Sequence, residues 1–246
     1  MGIVFIALIA TGAALSNDAV GAPSSNRGSQ AGLRYAKVRQ ACPRPKPGRA
    51  SCLALSLVSA PAGSAGASPY TAAAGAVSVG PAGGLTPADL AGAYGYPPSA
   101  GGAGQTVAIV DAYDDPKIEQ DLATFDAQYG LSACTAANGC FKKVGQTGST
   151  TVLPGSDKVG WSVEIALDVE TIHSVCPSCS ILLVEANSES FADLAASVNV
   201  AVCLGATEVS KSYGGLETAF GAAEQASYDH AGVVILAASG DSGYLN

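Results

Sequence analysis

The stretch Gly160-Trp-Ser-Val-Glu-Ile-Ala-Leu-Asp-Val-Glu170 decides how the rest of the chain is interpreted. A helix over this stretch places Glu164 and Asp168, four residues apart, one above the other on the same face. Apolar residues flank that face on both sides. They are Trp161, Ile172 and Val175 on one side, and Val163 and Leu167 on the other. The two acids are therefore predicted to lie within apolar surface, whereas a solvated helix face would lie opposite it.

A buried pair of acids has a specific chemistry. Burial raises the pKa of a carboxyl group, and a second carboxylate nearby raises one of the two pKa values further. Such a pair shares a proton and titrates as a unit. This arrangement favours an acid/base function for Glu164 and Asp168. The alternative at this stage is structural: both side chains reach solvent, or each pairs with a distant Lys or Arg.

Apolar runs and helical patterns alternate from residue 85 onward. Thr86-Pro-Ala-Asp89 is typical of a helix start, with Thr as the N-cap. Predicted strands cover 105–110, 141–144, 181–185, 208–210 and 233–238, and predicted helices cover 115–129, 191–204 and 216–230 besides the helix described above. This alternation predicts an α/β fold, with a mainly parallel sheet and helices on both faces. In such sheets the functional site lies at the carboxyl ends of the strands.

The first 85 residues differ from the rest in composition. Residues 1–16 (MGIVFIALIATGAALS) form a short apolar run that ends in small residues, which predicts a signal peptide and a secreted protein. Residues 17–85 are rich in Ala, Gly, Ser and Pro, and predict a loosely ordered basic arm or short pro-segment. The body is predicted to occupy residues 86–246. No stretch is long enough and apolar enough to predict a transmembrane helix.

Charge divides the chain in the same way. Residues 1–85 carry seven Lys and Arg and one acid, whereas residues 86–246 carry five Lys and 19 acids. No part of the body is basic enough to follow a phosphate backbone, which argues against nucleic acid as a partner. An acidic body suits an acidic medium, where carboxylates lose charge and repel each other less. The basic arm could dock on the acidic body electrostatically, and such docking would weaken at high salt.

Seven cysteines in a secreted chain indicate disulfide pairs and one unpaired residue. Three local pairs are plausible from spacing: Cys42 with Cys52, Cys134 with Cys140, and Cys176 with Cys179. Cys203 lies in an apolar helix and is expected to be the free, buried one. Two alternatives for Cys176 and Cys179 are weaker: a zinc site shared with His173, which lacks a fourth ligand, and a thioredoxin-like redox pair.

Several motifs in a fixed order resemble the sedolisin family of serine-carboxyl peptidases. They are Leu85-Thr-Pro-Ala-Asp-Leu-Ala-Gly-Ala-Tyr-Gly95, Thr106-Val-Ala-Ile-Val-Asp-Ala-Tyr-Asp-Asp-Pro116, the Trp161-x-x-Glu-x-x-x-Asp168 helix, Ile181-Leu-Leu-Val-Glu-Ala186 and Ser239-Gly-Asp-Ser-Gly243. The resemblance covers residues 85–246 and implies a subtilisin-like fold and cleavage of polypeptides at acid pH. It also implies that Glu164 is the general base, that Asp168 orients Glu164, and that protonated Asp241 donates a hydrogen bond to the oxyanion.

The resemblance also implies what lies beyond this sequence. The family's nucleophilic serine belongs to a Ser-Gly-Thr-Ser segment well after Ser239–Gly243, and nothing up to Asn246 aligns with it. The family's calcium site lies later still, so no cofactor or metal ligand is expected in residues 1–246. The body is therefore interpreted as the N-terminal part of a catalytic domain, C-terminally incomplete. Part of its core and one sheet edge are expected to be exposed.

Other acids and a serine near the predicted site have simpler interpretations. Ser242, in a Gly-Asp-Ser-Gly stretch, is taken as a turn residue because no chymotrypsin-like histidine motif precedes it. Asp111 is taken as structural or close to substrate, and Asp114 and Asp115 as a turn and an N-cap.

Two alternatives to a peptidase stay open. One is an inactive remnant that acts as a binding module. The other is a small-molecule-binding α/β domain, although no glycine-rich phosphate-binding motif follows the first strand.

Overall fold

Five parallel strands form the central sheet of the molecule. The computed structural model describes residues 35–59, 85–96, 101–216 and 221–240. The predicted signal peptide and the stretch that contains Asp241 and Ser242 lie outside these described residues. The strands are β1 Tyr35–Gln40, β2 Ser51–Cys52, β3 Leu55–Ser59, β4 Thr106–Ala112, β5 Phe141–Gly145, β6 Ser180–Ala186, β7 Glu208–Lys211, β8 Tyr213–Gly214 and β9 Val234–Ala237. The helices are α1 Pro87–Tyr94, α2 Ile118–Tyr129, α3 Trp161–Val175, α4 Phe191–Cys203 and α5 Ala222–Ala226.

The central sheet has the strand order β5-β6-β4-β7-β9, and all four of its pairings are parallel. Strand β4 lies in the middle because its run Val107-Ala-Ile-Val110 is apolar enough to be covered on both faces. The chain first builds β5 and β6 on one side of β4 and then β7 and β9 on the other. The carboxyl ends of β4 and β7 therefore meet next to the point where the strand order reverses, which is where such sheets place their sites.

The helices cover both faces of this sheet. Ile109 and Leu183 point to the face that α2 and α3 cover, and they share a core with Leu122 and Val169. Val110 and Val184, one residue further along their strands, belong to the opposite core, which includes α4. The predicted α/β fold, with a mainly parallel sheet and helices on both faces, is confirmed.

The helix predicted for 115–129 begins later than expected. Its first residue is Ile118, and Gly130 ends it in the left-handed conformation, as predicted. Asp115 does not serve as the N-cap; its Oδ1 accepts a hydrogen bond from the amide of Lys117 at 2.9 Å, which closes a turn before the helix. The expected turn at Asp114 and Asp115 is thus present, but the expected capping residue is wrong.

The helix predicted for 216–230 is too long. Among the described residues of that range, only Ala222–Ala226 is α-helical. Leu216 lies outside the helix and is exposed, and no buried residue occurs in α5. The sequence has no apolar stripe that would hold a longer helix against the sheet.

Residues 35–59 of the N-terminal arm are more ordered than their composition predicts. Strands β1 and β3 form an antiparallel pair, and β2 pairs with β8 of the body. Ala50 and Cys52 are buried in the same core as residues of α4. Composition alone missed this because the segment gains its order from contacts with the body. The boundary proposed at residue 85 stays a prediction.

The three expected disulfides are present: Cys42–Cys52, Cys134–Cys140 and Cys176–Cys179. Cys203 is free, as expected, but it is exposed, so its predicted burial is wrong. It occupies the last position of α4, beyond the buried face that includes Val198 and Ala201. No helix in the described part of the chain is both long enough and apolar enough to cross a membrane.

Strand β9 is the last strand of the sheet order and carries two exposed apolar side chains. Val234 and Leu236 are 55% and 57% exposed, and both lie on the same face of the strand. This is the exposed edge expected from the sequence. An apolar edge strand of this kind is prone to pair with other chains.

Replacing Val234 and Leu236 together by Lys should lower self-association of the chain, because charged side chains on an edge strand oppose pairing. Sedimentation velocity over a range of protein concentrations measures the effect. Val152→Lys is the matched control, since Val152 is also exposed but lies outside the sheet. Equal self-association of the double variant and the control would contradict the prediction.

Candidate functional site

Helix α3 presents its acids at the carboxyl edge of the sheet because its start is fixed there. The carboxylate of Asp157 accepts hydrogen bonds from the amides of Gly160 and Ser162, each at 3.0 Å. Burial alone would raise the pKa of Asp157, but these backbone donors outweigh it, so the pKa lies below its ordinary value. The ionised Asp157 therefore stabilises the N-terminus of α3. Glu164 and Asp168 lie in the first two turns of the helix.

Glu164 is buried, with 1% of its surface exposed. Its Oε2 accepts two backbone hydrogen bonds, from the amides of Leu53 and Ala54, both at 2.6 Å. Two such donors stabilise the ionised form of a carboxyl group. The burial predicted from the apolar flanks is confirmed, and the observed partners are backbone amides of the N-terminal segment.

Asp168 is also buried, at 9% exposure. Its Oδ1 accepts a hydrogen bond from the hydroxyl of Ser212 at 2.9 Å, and its Oδ2 has no hydrogen-bond partner among the described residues. Burial raises the pKa of Asp168 to about 7, and the Ser212 hydroxyl only partly opposes this. Well below this pKa, Asp168 carries a proton.

Asp111 is a third carboxyl group at this place. It lies near the end of β4, is fully buried, and neither of its carboxyl oxygens has a hydrogen-bond partner in the described part of the chain. Burial raises the pKa of Asp111 well above its ordinary range, and the neighbouring Asp168, Glu164 and Glu185 raise it further. Asp111, Glu164 and Asp168 are called the carboxyl cluster below.

Asp111, interpreted from the sequence as structural or close to substrate, lies in the structure near Asp168 and Glu164, and its role stays a prediction. The signal was available: an acid directly follows the buried run Val107–Val110 and precedes Ala112, which is also buried. An acid at the end of a central parallel strand points to the functional edge of the sheet.

A separate group of charges lies beside the site. Glu185 of β6 is fully buried, and burial raises its pKa to about 8. Its Oε1 accepts a hydrogen bond from the amide of Asp115 at 2.9 Å and lies 3.7 Å from the ammonium of Lys143. The same ammonium contacts Asp114 at 2.5 Å. Asp114 and Asp115 therefore have a further structural role that the sequence did not show.

The zinc alternative for His173, Cys176 and Cys179 is contradicted, because the two cysteines form a disulfide. The described residues hold another group with metal-ligand atoms within 4.8 Å of one another: Cys134, Cys140 and His173. Those cysteines are also joined as a disulfide. Nε2 of His173 instead lies 2.9 Å from the carbonyl oxygen of Ser132 and 3.2 Å from Asp126.

Asp241, the predicted oxyanion donor, lies outside the described residues, so its role stays a prediction. Strand β9 ends at Ala237, and Gly240 has φ 85°, which turns the chain at the carboxyl edge of the sheet. The predicted roles of Glu164 and Asp168 likewise stay predictions, although the structure brings both side chains into the carboxyl cluster.

The N-terminal segment Gly48–Ala54, called the covering segment, lies over this cluster. Within it, Ser51 pairs with Gly214 and Cys52 with Tyr213 in antiparallel register, and the amide of Leu53 also donates to the carbonyl of Ser212 at 3.1 Å.

The covering segment is also bound at its other end. The amide of Ala50 donates to the carbonyl of Glu189 at 2.7 Å, and the carbonyl of Gly48 accepts from the amide of Phe191 at 3.3 Å. One ion pair joins segment and body among the described residues, between Arg49 and Glu189 at 2.8 Å. The described contacts of the covering segment with the body are thus mainly backbone hydrogen bonds, and electrostatic docking of the whole arm stays a prediction.

Comparison with known proteins gives two similarities. Kumamolisin from Bacillus sp. (strain MN-32) is 33% identical over 171 residues, which is 64% of this chain and 29% of that protein. The chain thus spans less than a third of this relative. A solved Pseudomonas sedolisin, a serine-carboxyl proteinase complexed with two molecules of pseudo-iodotyrostatin, is 24% identical and covers 46% of this chain and 30% of its own, with a TM-score of 0.37. No protein-family model matches the chain.

The similarity to kumamolisin confirms the predicted resemblance to the sedolisin family, over part of the domain. The chain is thereby similar to serine-type peptidases, which are hydrolases that act on polypeptides.

The raised pKa of Asp168 predicts a pH-dependent stability. Because this pKa is about 7 in the folded chain and ordinarily 3.8, the folded state binds a proton that the unfolded state lacks between these values. The free energy of unfolding therefore gains from Asp168 as pH falls from about 7 to about 4. In Asp168→Asn this gain on acidification should be smaller by about 2 to 4 kcal/mol. Urea unfolding at both pH values measures it.

The control for this experiment is Glu119→Gln, since Glu119 is an exposed acid distant from the carboxyl cluster. It should keep the wild-type difference between the two pH values. An Asp168→Asn chain that gains as much stability on acidification as the wild type would contradict the assignment of a raised pKa.

Proposed function

We propose, from the resemblance to the sedolisin family, that this chain provides the acid/base part of a secreted serine-carboxyl endopeptidase that hydrolyses peptide bonds at acid pH. One observation carries the proposal: Glu164 and Asp168 are both buried on one face of α3, at the carboxyl edge of a parallel sheet. The described hydrogen-bond donors to these two carboxyl groups include two backbone amides and one hydroxyl.

In this proposal Glu164 is the general base. It takes the proton of the nucleophilic serine as the serine oxygen attacks the peptide carbonyl carbon, and later gives that proton to the leaving amine. A carboxylate suits this task below neutral pH, because a histidine there would already be protonated. In the sedolisin resemblance the serine belongs to a segment later than Gly243, so the 246 residues supply the base and the complete enzyme supplies the nucleophile.

Asp168 is proposed to position Glu164. Its pKa of about 7 keeps it protonated at acid pH, and its Oδ1 is already held by the Ser212 hydroxyl. Its second oxygen is then available to carry the proton as a donor toward Glu164, one helical turn away. A protonated Asp168 also does not repel an ionised Glu164, whereas two ionised carboxylates side by side would repel each other.

Asp241 is proposed to stabilise the oxyanion. A protonated carboxyl group can donate a hydrogen bond to the negative oxygen that develops during attack, as backbone amides do in other oxyanion holes. The support comes from its position in the motif Ser239–Gly243, directly after the turn at Gly240. No cofactor or metal ligand is proposed for this reaction in residues 1–246.

Secretion is part of the proposal. It is supported by the apolar run at residues 1–16 and by three disulfides, which persist in oxidising compartments. The acidic composition of residues 86–246 is also consistent with activity in an acidic medium, where the carboxylates lose charge and repel each other less.

A second candidate function is supported by the contacts of Glu164. Its carboxylate already holds two amides of an extended segment, which is how a peptide-binding module would use it. In that case the chain would bind polypeptides without cleaving them.

The test uses a chain in which residues 1–246 are followed by the remaining C-terminal part of the matched kumamolisin, assayed for hydrolysis of a denatured protein substrate between about pH 3 and pH 7. Glu164→Gln should lower the turnover rate at least about 100-fold, because a general base contributes about 10²- to 10⁴-fold. Glu119→Gln is the control and should keep the activity. Circular dichroism verifies that all three chains are folded.

The outcomes separate the two candidates. Activity that survives Glu164→Gln would refute the assignment of the base. A folded chain that shows no hydrolysis at any pH would refute the peptidase proposal in favour of a binding module.

A further inference from the structure

We infer that Cys134, Cys140 and His173 form a binding site for Zn²⁺ in the reduced chain, and that the bound metal and the Cys134–Cys140 disulfide are alternative states of this site. The inference does not rest on the proposed peptidase function. It also concerns other sulfurs than the contradicted zinc site at Cys176 and Cys179.

Three ligand atoms of the kind that zinc prefers lie close together. The sulfurs of Cys134 and Cys140 and one ring nitrogen of His173 all lie within 4.8 Å of one another. Around one Zn²⁺ ion such atoms would be roughly 3.5 to 3.8 Å apart, given tetrahedral bonds of about 2.3 Å to sulfur and about 2.0 Å to nitrogen. Small shifts of the side chains, once the bond between the sulfurs is broken, produce this geometry. Thiolate and imidazole ligands select zinc over Ca²⁺ and Mg²⁺, which take oxygen ligands.

The three residues belong to separate parts of the fold. Cys134 follows α2, Cys140 directly precedes β5, and His173 lies in the last turn of α3. Because Cys140 comes before its strand, the site lies at the amino edge of the parallel sheet. The carboxyl cluster lies at the opposite edge, so a metal at this site takes no part in the proposed reaction.

The ring of His173 is held with one nitrogen left for a metal. Its Nε2 lies 2.9 Å from the carbonyl oxygen of Ser132 and 3.2 Å from Oδ1 of Asp126. Both of these oxygens are acceptors, so in the neutral imidazole Nε2 carries the hydrogen and Nδ1 keeps its lone pair. Nδ1 is buried and has no hydrogen-bond partner in the described part of the chain. A buried polar atom without a partner is unfavourable, and a metal ion would supply the missing partner.

Asp126 orients two of the ligands before any metal binds. Its Oδ2 accepts a hydrogen bond from the amide of Cys134 at 3.1 Å, and its Oδ1 lies beside Nε2 of His173. Metal-bound histidines typically donate their second N–H to a carboxylate or a backbone carbonyl, which fixes the ring and strengthens the metal bond. Both kinds of acceptor are already in place at Nε2.

The charge around the site also favours a cation. Asp126 is buried, and acids of α2 and α3 lie near one another here. Burial raises the pKa of Glu170 to about 8, and the charges of Asp121 and Asp126 raise it further. A divalent cation in this region would reduce the repulsion among these acids.

The loop between the two cysteines gives a metal ion access from solvent. Residues 136–139 are exposed, Cys140 is partly buried and Cys134 is buried. A water molecule entering on the side of this loop can fill the fourth position, as in zinc sites with two cysteines and one histidine.

The two states are related by a two-electron reaction. A phosphine and one water molecule convert the disulfide into two thiols and a phosphine oxide, and the phosphorus supplies both electrons. Zn²⁺ then displaces the two thiol protons, because the thiolate is the metal ligand. In the reverse direction, oxidised glutathione takes two electrons from the thiolates and two protons from water, which yields two molecules of reduced glutathione, the protein disulfide and free Zn²⁺.

The first experiment titrates the phosphine-reduced full chain with Co²⁺, which replaces Zn²⁺ and is coloured. Thiolate-to-cobalt absorption in the near ultraviolet and the visible bands of a tetrahedral ion should appear, and the unreduced chain should show neither. Cys134→Ser/Cys140→Ser should lower the affinity at least about 100-fold, because two of three ligands are lost. Cys176→Ser/Cys179→Ser is the matched control, since it removes another local disulfide, and it should bind Co²⁺ like the wild type. Unchanged binding by Cys134→Ser/Cys140→Ser, or absence of the bands in the reduced wild type, would overturn the site.

A second pair of variants distinguishes a prebuilt site from thiols of an unfolded chain. Asp126→Asn leaves all three ligands in place but weakens the acceptor at Nε2 of His173, so it should lower the Co²⁺ affinity of the reduced chain about 10- to 100-fold. Asp121→Asn, on the same helix, is the control and should keep the affinity. Thiols in an unfolded chain would not respond to either change, so equal affinities of the two variants would refute the inference.

Reoxidation of the unaltered chain tests whether metal and disulfide exclude each other. With Zn²⁺ present, oxidised glutathione should re-form Cys134–Cys140 at least about tenfold more slowly, because metal-bound thiolates are poorer nucleophiles. Alkylation of the remaining thiols at successive times, followed by peptide mass spectrometry, measures the rate. The Cys176–Cys179 pair in the same sample is the control and should re-form at its usual rate. Equal slowing of both pairs would contradict a specific site.

Discussion

Three carboxyl groups lie together in the buried carboxyl cluster, and much of this structure is connected to the cost of taking them out of water. Asp111, Glu164 and Asp168 are buried, and their described hydrogen-bond donors are two amides and one hydroxyl. An isolated buried carboxylate is strongly destabilising, so such groups either find donors or bind a proton. Glu164 has the donors, and Asp168 takes the proton at acid pH. The three groups thus lie in different surroundings, although they share one site.

The sheet topology explains why these groups meet. Asp111 belongs to the central strand β4, Ser212 follows its neighbour β7, and α3 begins above the same edge. The chain builds one half of the sheet on each side of β4, so the edge at β4 is the one place where both halves contribute side chains. A carboxyl group on a helix, another on a strand and a hydroxyl after a strand are thereby brought to the same edge of the sheet.

The sequence predicted the parts of this site that depend on local pattern. The burial of Glu164 and Asp168 followed from the apolar residues that flank them on the helix, and the class of fold followed from alternating strands and helices. The position of Asp111 at the end of an apolar strand was visible in the sequence, but its nearness to Glu164 and Asp168 depends on how β4 and α3 pack and was not. The ordered N-terminal segment could not be predicted, since Ala50 and Cys52 are buried only by residues distant in sequence. The prediction that Cys203 is buried was wrong for a related reason. The apolar composition of α4 does not show that Cys203, its last residue, lies outside the buried face.

The covering segment also bears on the order in which the chain folds. Leu53 and the carboxylate it contacts are separated by 111 positions in sequence, and the segment pairs with a strand later still. Closing so large a loop is entropically unfavourable until the sheet and α3 exist to receive the segment. The covering segment is therefore expected to dock after the sheet and α3 have formed, although it precedes them in the sequence. Until the segment docks, Glu164 lacks the two amide donors of Leu53 and Ala54 that it has in the folded structure.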